Sequence, residues 1–307
     1  MPDSNPSTAR SILDRAGPVG VWSFDLDQLP VAEAASFARD VERLGFGSLW
    51  IAEGVASREA LTHAATLLHA TERLVVGTGI ASIWARDAIS MASARRTLAD
   101  AHPDRFVLGL GVSHVGAVTR RGHEYAARPV ATMREYLTAM DDAILKSPEP
   151  ARPAPRLIAA LRPRMLGLAG ERADGAHTYF VPVEHSRRAR ELLGPDPLLV
   201  VEQAVALTSD PVLARSVARR HTEHYLARDN YRNNLTWLGF PDDELTAGGS
   251  DRVVDELVAW GDAADVVKRI EAHRQAGADH VVVQVLPVGD RPPLADLADL
   301  AALAAAR

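Results

Sequence analysis

Three side chains in this sequence pair a reactive group with the end of an apolar run: His114, Glu53 and Glu202. His114 closes Gly109-Leu110-Gly111-Val112-Ser113-His114, and an imidazole there can act as general acid or base because it titrates near neutrality. The same ring could simply donate to a loop carbonyl. Glu53 ends Leu49-Trp50-Ile51-Ala52-Glu53, and Glu202 follows Leu199-Val200-Val201. Glu202 either faces a pocket or pairs with an arginine. Ala160-Leu161-Arg162-Pro163-Arg164-Met165 turns from a strand into a short helix, where free N–H groups, two guanidiniums and the helix dipole favour a phosphate. Both arginines could equally be solvated surface. Val75-Val76-Gly77-Thr78-Gly79-Ile80-Ala81-Ser82 carries two glycines at its exit, so its backbone can kink or approach a flat ligand. Neither glycine segment makes a convincing dinucleotide fingerprint of glycines and a later acid.

Other candidates carry less. His63, His69, His102 and His273 sit on or beside predicted helices, and without HxH or HExxH spacing no metal site is indicated. Asp229-Asn230-Tyr231-Arg232-Asn233-Asn234-Leu235, followed by Trp237, Leu238 and Phe240, suits a polar planar ligand, an adjoining subunit or the packing of a helical hairpin.

Reactive groups need a frame. Short runs of Val, Ile, Leu and aromatics alternate with segments of helical period, which is the signature of βαβ units. Eight strands are predicted: Val19–Phe24, Ser48–Glu53, Arg73–Ile80, Arg105–Gly111, Arg156–Leu161, Ala176–Val181, Leu198–Leu207 and His280–Leu286. Their continuous apolarity fits parallel strands covered on both faces. Helices Val31–Leu44 and Asp262–Ala276 stop at Gly45 and Gly277, and Pro129 opens one running to Leu145. The fold class expected is α/β, a (β/α)8 TIM barrel, whose reactive groups gather at the carboxyl ends of its strands. About 70 residues separate strands seven and eight, roughly twice what a helix and two loops need. Residues 208–260 are therefore expected to form a helical insertion over the carboxyl face. Residues 1–16 read as a polar tail and 17–307 as one domain.

With 47% hydrophobic and 24% charged residues the chain has enough apolar surface for a large core, which excludes disordered and fibrous classes. A net charge of −6 offers no basic footprint for nucleic acid. The absence of cysteine removes disulfides and thiol chemistry. No apolar run reaches the roughly 18 residues of a membrane span, and the amino terminus lacks a secretory h-region. A cytoplasmic protein acting on a small molecule is expected.

Gly20-Val21-Trp22, Leu49 to Glu53, Thr78 to Asp87, Arg105 to His114 and Arg172 to His177 together resemble the luciferase-like monooxygenase superfamily, from about Gly17 to Pro287. Val112-Ser113-His114 and Asn230 to Asn234 resemble a subgroup of deazaflavin-dependent oxidoreductases. The resemblance implies coenzyme F420 as cofactor, with FMN as the alternative, and a homodimer. It implies hydride transfer to or from a small organic substrate, with His114, then Glu53, then Glu202 as candidates for moving the proton. A non-prolyl cis peptide is implied at Gly79-Ile80, and the ring is expected against Gly79, Ile80, Ala81, Ser82, Gly111, Val112 and Ser113. The cofactor phosphate is expected at Leu161, Arg162, Pro163, Arg164 and Met165. Two departures matter: Arg162 stands where glycine is common, and Gly54 stands where some sugar-phosphate dehydrogenases carry a catalytic histidine. An FMN monooxygenase and a non-catalytic cofactor binder are the rival readings.

Overall fold

A computed structural model describes residues 6–125 and 127–301, with side chains from residue 9 onward. Its strands are β1 (Val19–Ser23), β2 (Ser48–Ile51), β3 (Val75–Thr78), β4 (Ala81–Ser82), β5 (Phe106–Gly111), β6 (Arg156–Ala159), β7 (Gly175–Thr178), β8 (Leu198–Leu207), β9 (Val258–Gly261) and β10 (His280–Val285). All pairings between them are parallel, and the sheet closes because β10 pairs with β1 on one edge and β8 on the other. The eight barrel strands are β1, β2, β3, β5, β6, β7, β8 and β10, which makes the chain a TIM barrel.

Two short strands were not expected. The third predicted strand breaks after Thr78 at a cis Gly79-Ile80 peptide, and the chain resumes as β4, which pairs only with β5. β9 lies inside the stretch expected to be helical; it pairs with Ala204–Leu207 of β8, whose ten residues extend past β7.

The polar-tail expectation is overturned for residues 6–16; residues 1–5 lie outside the described residues. Pro6–Ala16 is a helix, and Ala9, Ile12, Leu13 and Ala16 bury one stripe of it against Trp22, Trp50, Val107, Leu157 and Val282 inside the barrel. Positions 9, 12, 13 and 16 follow the i, i+3, i+4, i+7 spacing of one helix face. Gly47 permits the close approach, since a Cβ there would lie 2.1 Å from the Ala16 carbonyl oxygen. Arg10 pairs with Asp279 at 2.8 Å, and His280 Nδ1 lies 2.7 Å from the Gly17 carbonyl. The amino end of the barrel is thus plugged, and a ligand must enter from the other end.

There, residues 208–260 form the helices Pro211–Leu226, Asp229–Leu238 and Asp251–Leu257 before β9. They have a core of their own, in which Tyr225, Tyr231, Leu235 and Val254 pack on Phe180, Ala204, Ala206 and Leu286. Phe180, Ala206 and Leu286 lie at or just beyond the carboxyl ends of β7, β8 and β10, so the insertion covers the carboxyl face. Asp210 caps its first helix through the N–H groups of Val212 and Leu213.

Because Ile12 is 1% exposed within the plug, Ile12→Ala should destabilise the fold by about 2–4 kcal/mol, read as a lower midpoint of thermal or urea unfolding. An unchanged midpoint would show that the helix is peripheral.

Candidate functional site

A cavity of about 350 Å³ opens between the carboxyl ends of the barrel strands and the insertion, within the range of small-ligand sites. Its floor begins at β3. Gly77 lies against the face of Trp50, where a Cβ would come within 2.4 Å of the ring, and a Cβ on Gly79 would meet Trp22 Nε1 at 2.6 Å and His177 Nε2 at 2.8 Å. Trp22 Nε1 donates to the Gly79 carbonyl at 3.3 Å. On the next strand a Cβ at Gly111 would stand 2.6 Å from the Ile80 side chain. Glycine at these places lets aromatic rings and Ile80 close on the backbone, leaving a wall with little side-chain bulk.

Glu53 fixes that wall. Its carboxylate is bound by the Arg86 guanidinium and accepts the N–H groups of Ser82 at 2.8 Å and Ala60 at 3.3 Å, while its own N–H donates to the Ile80 carbonyl at 3.0 Å. Arg86 also holds Glu59 at 2.6 Å. A carboxylate engaged in this way is ill suited to shuttling protons, so Glu53 is assigned to positioning. It lines the cavity, as do Gly79, Ile80, Gly111, Val112, Ser113, His114 and Leu161. Ala81 and Ser82 are buried and outside the lining. Arg162, Pro163 and Arg164 are exposed and Met165 is partly buried; none of these four lines the cavity. Leu161 therefore links the cavity to an outer basic turn.

His114 is placed by a left-handed Ser113 (φ 57°) and stands as the residue before the helix Val115–Arg120. Its ring packs 5.6 Å from Tyr231 and hydrogen-bonds with the Asn230 side chain. Burial, reinforced by the Arg228 charge, pushes the imidazole down to about 4, so it is neutral at pH 7.

Glu202 is buried and does not line the cavity. One carboxyl oxygen accepts the Phe180 N–H at 3.0 Å; the other has no partner. Burial pushes it up to about 8, so it carries its proton at neutral pH. No arginine pairs with it among the described residues.

Sequence reasoning missed much of the lining. Tyr179, whose hydroxyl meets that of Tyr225 at 2.6 Å and donates to Gln284 Oε1 at 2.7 Å, belongs to it, with Tyr225, His224, Arg228 and Arg120. So does His177, stacked on Trp50 at 5.3 Å. It is 2% exposed, and neither ring nitrogen reaches a partner at hydrogen-bond geometry beyond a loose contact with the Val200 backbone. The sixth predicted strand, β7, ends at Thr178 rather than Val181, so Tyr179 stands directly at its carboxyl end. Of the amide-rich run, Asn230 and Tyr231 reach the cavity.

The family pattern described as Luciferase-like monooxygenase matches residues 18–280. The chain belongs to the luciferase-like monooxygenase family. A putative coenzyme F420-dependent oxidoreductase of Mycobacterium tuberculosis is 30% identical over 171 residues, covering 56% of this chain and 46% of that protein. The chain spans between about half and two thirds of the length of the curated relatives it matches. An F420-dependent secondary alcohol dehydrogenase solved with an F420-acetone adduct superposes with a TM-score of 0.75 at 16% identity, over 94% of this chain and 99% of that one. The oxygenating component of a 3,6-diketocamphane monooxygenase from Pseudomonas putida, solved with FMN, gives 0.64 at 16% identity, over 93% and 96%. At such identities the two structures share the fold.

Glu202 should make stability depend on pH. Between the ordinary glutamate value near 4.3 and about 8 the unfolded chain ionises this group while the folded chain keeps it protonated, so stability falls as pH rises. Glu202→Gln removes that loss: relative to wild type it should gain stability from pH 5 to pH 8, by at most about 1.4 kcal/mol per pH unit. A constant difference across that range would place the group in an ordinary environment.

Proposed function

We propose that this protein is a coenzyme F420-dependent oxidoreductase acting on a small organic substrate. The observation that supports it best is the cavity itself: a smooth backbone wall at Gly79, Ile80 and Gly111, with His114 at its edge and a buried, unpartnered His177 in its lining. An orphaned imidazole suits a ligand that brings its own hydrogen-bonding edge, and the volume suits a flat ring. The relative named for F420 supports the same reading. When bound, the deazaflavin supplies hydride transfer.

The residues of the chain do the rest. The Gly79-Ile80 wall and Val112 orient the ring, and Leu161 leads to Arg162 and Arg164, whose guanidiniums suit an anionic tail. The tyrosines of the insertion limit water over the reacting atoms. His114 holds or moves the accompanying proton at a ring nitrogen, its ring oriented by Asn230. A neutral imidazole accepts a proton, so the free site is set for the direction in which the substrate loses hydride and proton together.

A spectral titration with F420 and FMN in parallel tests the cofactor. Tighter F420 binding is expected, and equal or tighter FMN binding would replace it with the flavin monooxygenase reading. Once a substrate is found by screening, His114→Ala should lower kcat about 10²-fold while cofactor affinity stays within a few-fold. The base form of His114 persists down to about pH 4, so kcat/KM should stay level from pH 8 to about 5 and fall only below that. An inflection near 6.5 that His114→Ala abolishes would show an imidazole in an ordinary setting.

A further inference from the structure

The charged residues that line the cavity are Glu53, Arg120 and Arg228. Glu53 is already engaged from behind the wall by Arg86, which also holds Glu59, and it forms no ion pair with either of the two guanidiniums. Neither has an ion-pair partner among the described residues. Arg120 reaches the Gly116 carbonyl only at 3.4 Å. Arg228 lies 2.8 Å from His224 Nε2, so that nitrogen must be the acceptor, and it sits 5.2 Å over the Tyr225 ring. Both contacts hold the guanidinium in place without neutralising it, and five N–H donors make it a fork for an oxyanion. Arg120 is exposed at the cavity rim and Arg228 is half-buried, while the protein as a whole is acidic, at −6, so this positive charge is local to the cavity mouth.

We propose that Arg120 and Arg228 form an oxyanion-binding subsite at the cavity mouth, and that the substrate of the oxidoreductase proposed above carries a carboxylate or phosphate group. The inference rests on that reading for the word substrate, but not for the anion site. Arg228 is close enough to act electrostatically on His114. An anion held there therefore lies beside the group that handles the proton, as a substrate must. Arg162 and Arg164 sit on an exposed turn outside the lining and form a separate basic group for the cofactor tail. Arg228 lies in the turn between the first two helices of the insertion, and Asn230 in the first turn of the second. The subsite is thereby shared between Arg228 of the insertion and Arg120 of the helix after β5.

Two titrations separate the sources of the anion. Inorganic phosphate is titrated calorimetrically into protein carrying Arg162→Gln and Arg164→Gln, so that the outer turn contributes nothing. Saturable binding, weaker at high salt, is expected, and adding Arg120→Gln and Arg228→Gln should reduce it at least about tenfold, with Arg228→Lys retaining more. F420 is titrated spectrally into wild type and into Arg120→Gln/Arg228→Gln, and its affinity should agree within about threefold, since the pair is assigned to the substrate. Circular dichroism and the thermal midpoint confirm that each variant is folded. Absence of saturable phosphate binding, or equal binding with and without the pair, overturns the subsite. Parallel loss of phosphate and F420 overturns its assignment to substrate and gives it to the cofactor tail. If wild type binds no F420, the cofactor reading fails, and the phosphate titration still decides the subsite.

Discussion

One buried carboxylate organises the reactive end of this barrel. Glu53 ties Arg86, the Ser82 and Ala60 N–H groups and, through its backbone, the Ile80 carbonyl into a single knot. Burying a carboxylate costs several kcal/mol of lost hydration, offset only when cation and hydrogen bonds are all in place. The loop after β2, the start of the helix Ala60–Ala70 and the short β4 must therefore keep one mutual geometry. The Gly79-Ile80 wall is held between them. Under the proposed function such a site needs rigid support more than reactive residues, because the cofactor would bring its own chemistry.

Support and selection come from different parts of the chain. The floor is built from barrel strands whose interior is filled by Trp22, Trp50, His177 and His280 and closed below by the helix Pro6–Ala16. Ser48 Oγ, 2.7 Å from His280 Nε2, accepts a hydrogen bond from the Trp50 Nε1–H at 3.0 Å, so these polar atoms of the layer are fixed. The roof is the insertion, packed through its own core on Phe180 and Leu286. It contributes Tyr225, Tyr231 and Arg228 to the cavity lining. Changes in the roof can alter what is bound without disturbing the floor.

The strands of the barrel were legible because each is a nearly unbroken apolar run, the mark of a strand covered on both sides. The resemblance likewise located the wall at Gly79-Ile80 and the edge at His114. Elements with weaker patterns escaped. The plug helix has only small or sparse apolar residues, Ala9, Ile12, Leu13 and Ala16, and its charged neighbours masked a regular spacing. β9 is four residues ending in glycine, Val258-Ala259-Trp260-Gly261, too short to stand apart from the helix before it. Tyr179 follows β7 while Tyr225 and Arg228 come from the insertion, and only the fold brings these segments into one cavity lining with His114. The roles of Glu53 and Glu202 depended on partners that spacing does not reveal. Arg86 pairs with Glu53, 33 positions away, whereas Glu202 has no cation among the described residues.

The most direct test is a crystal structure of the protein with coenzyme F420 bound. The deazaflavin ring should lie against the Gly79-Ile80 backbone, with a His114 ring nitrogen within hydrogen-bond reach, about 3 Å, of a cofactor or substrate atom, and with the tail leaving past Leu161. A ring bound outside this cavity, or one that leaves His114 out of reach of every reacting atom, would contradict the account.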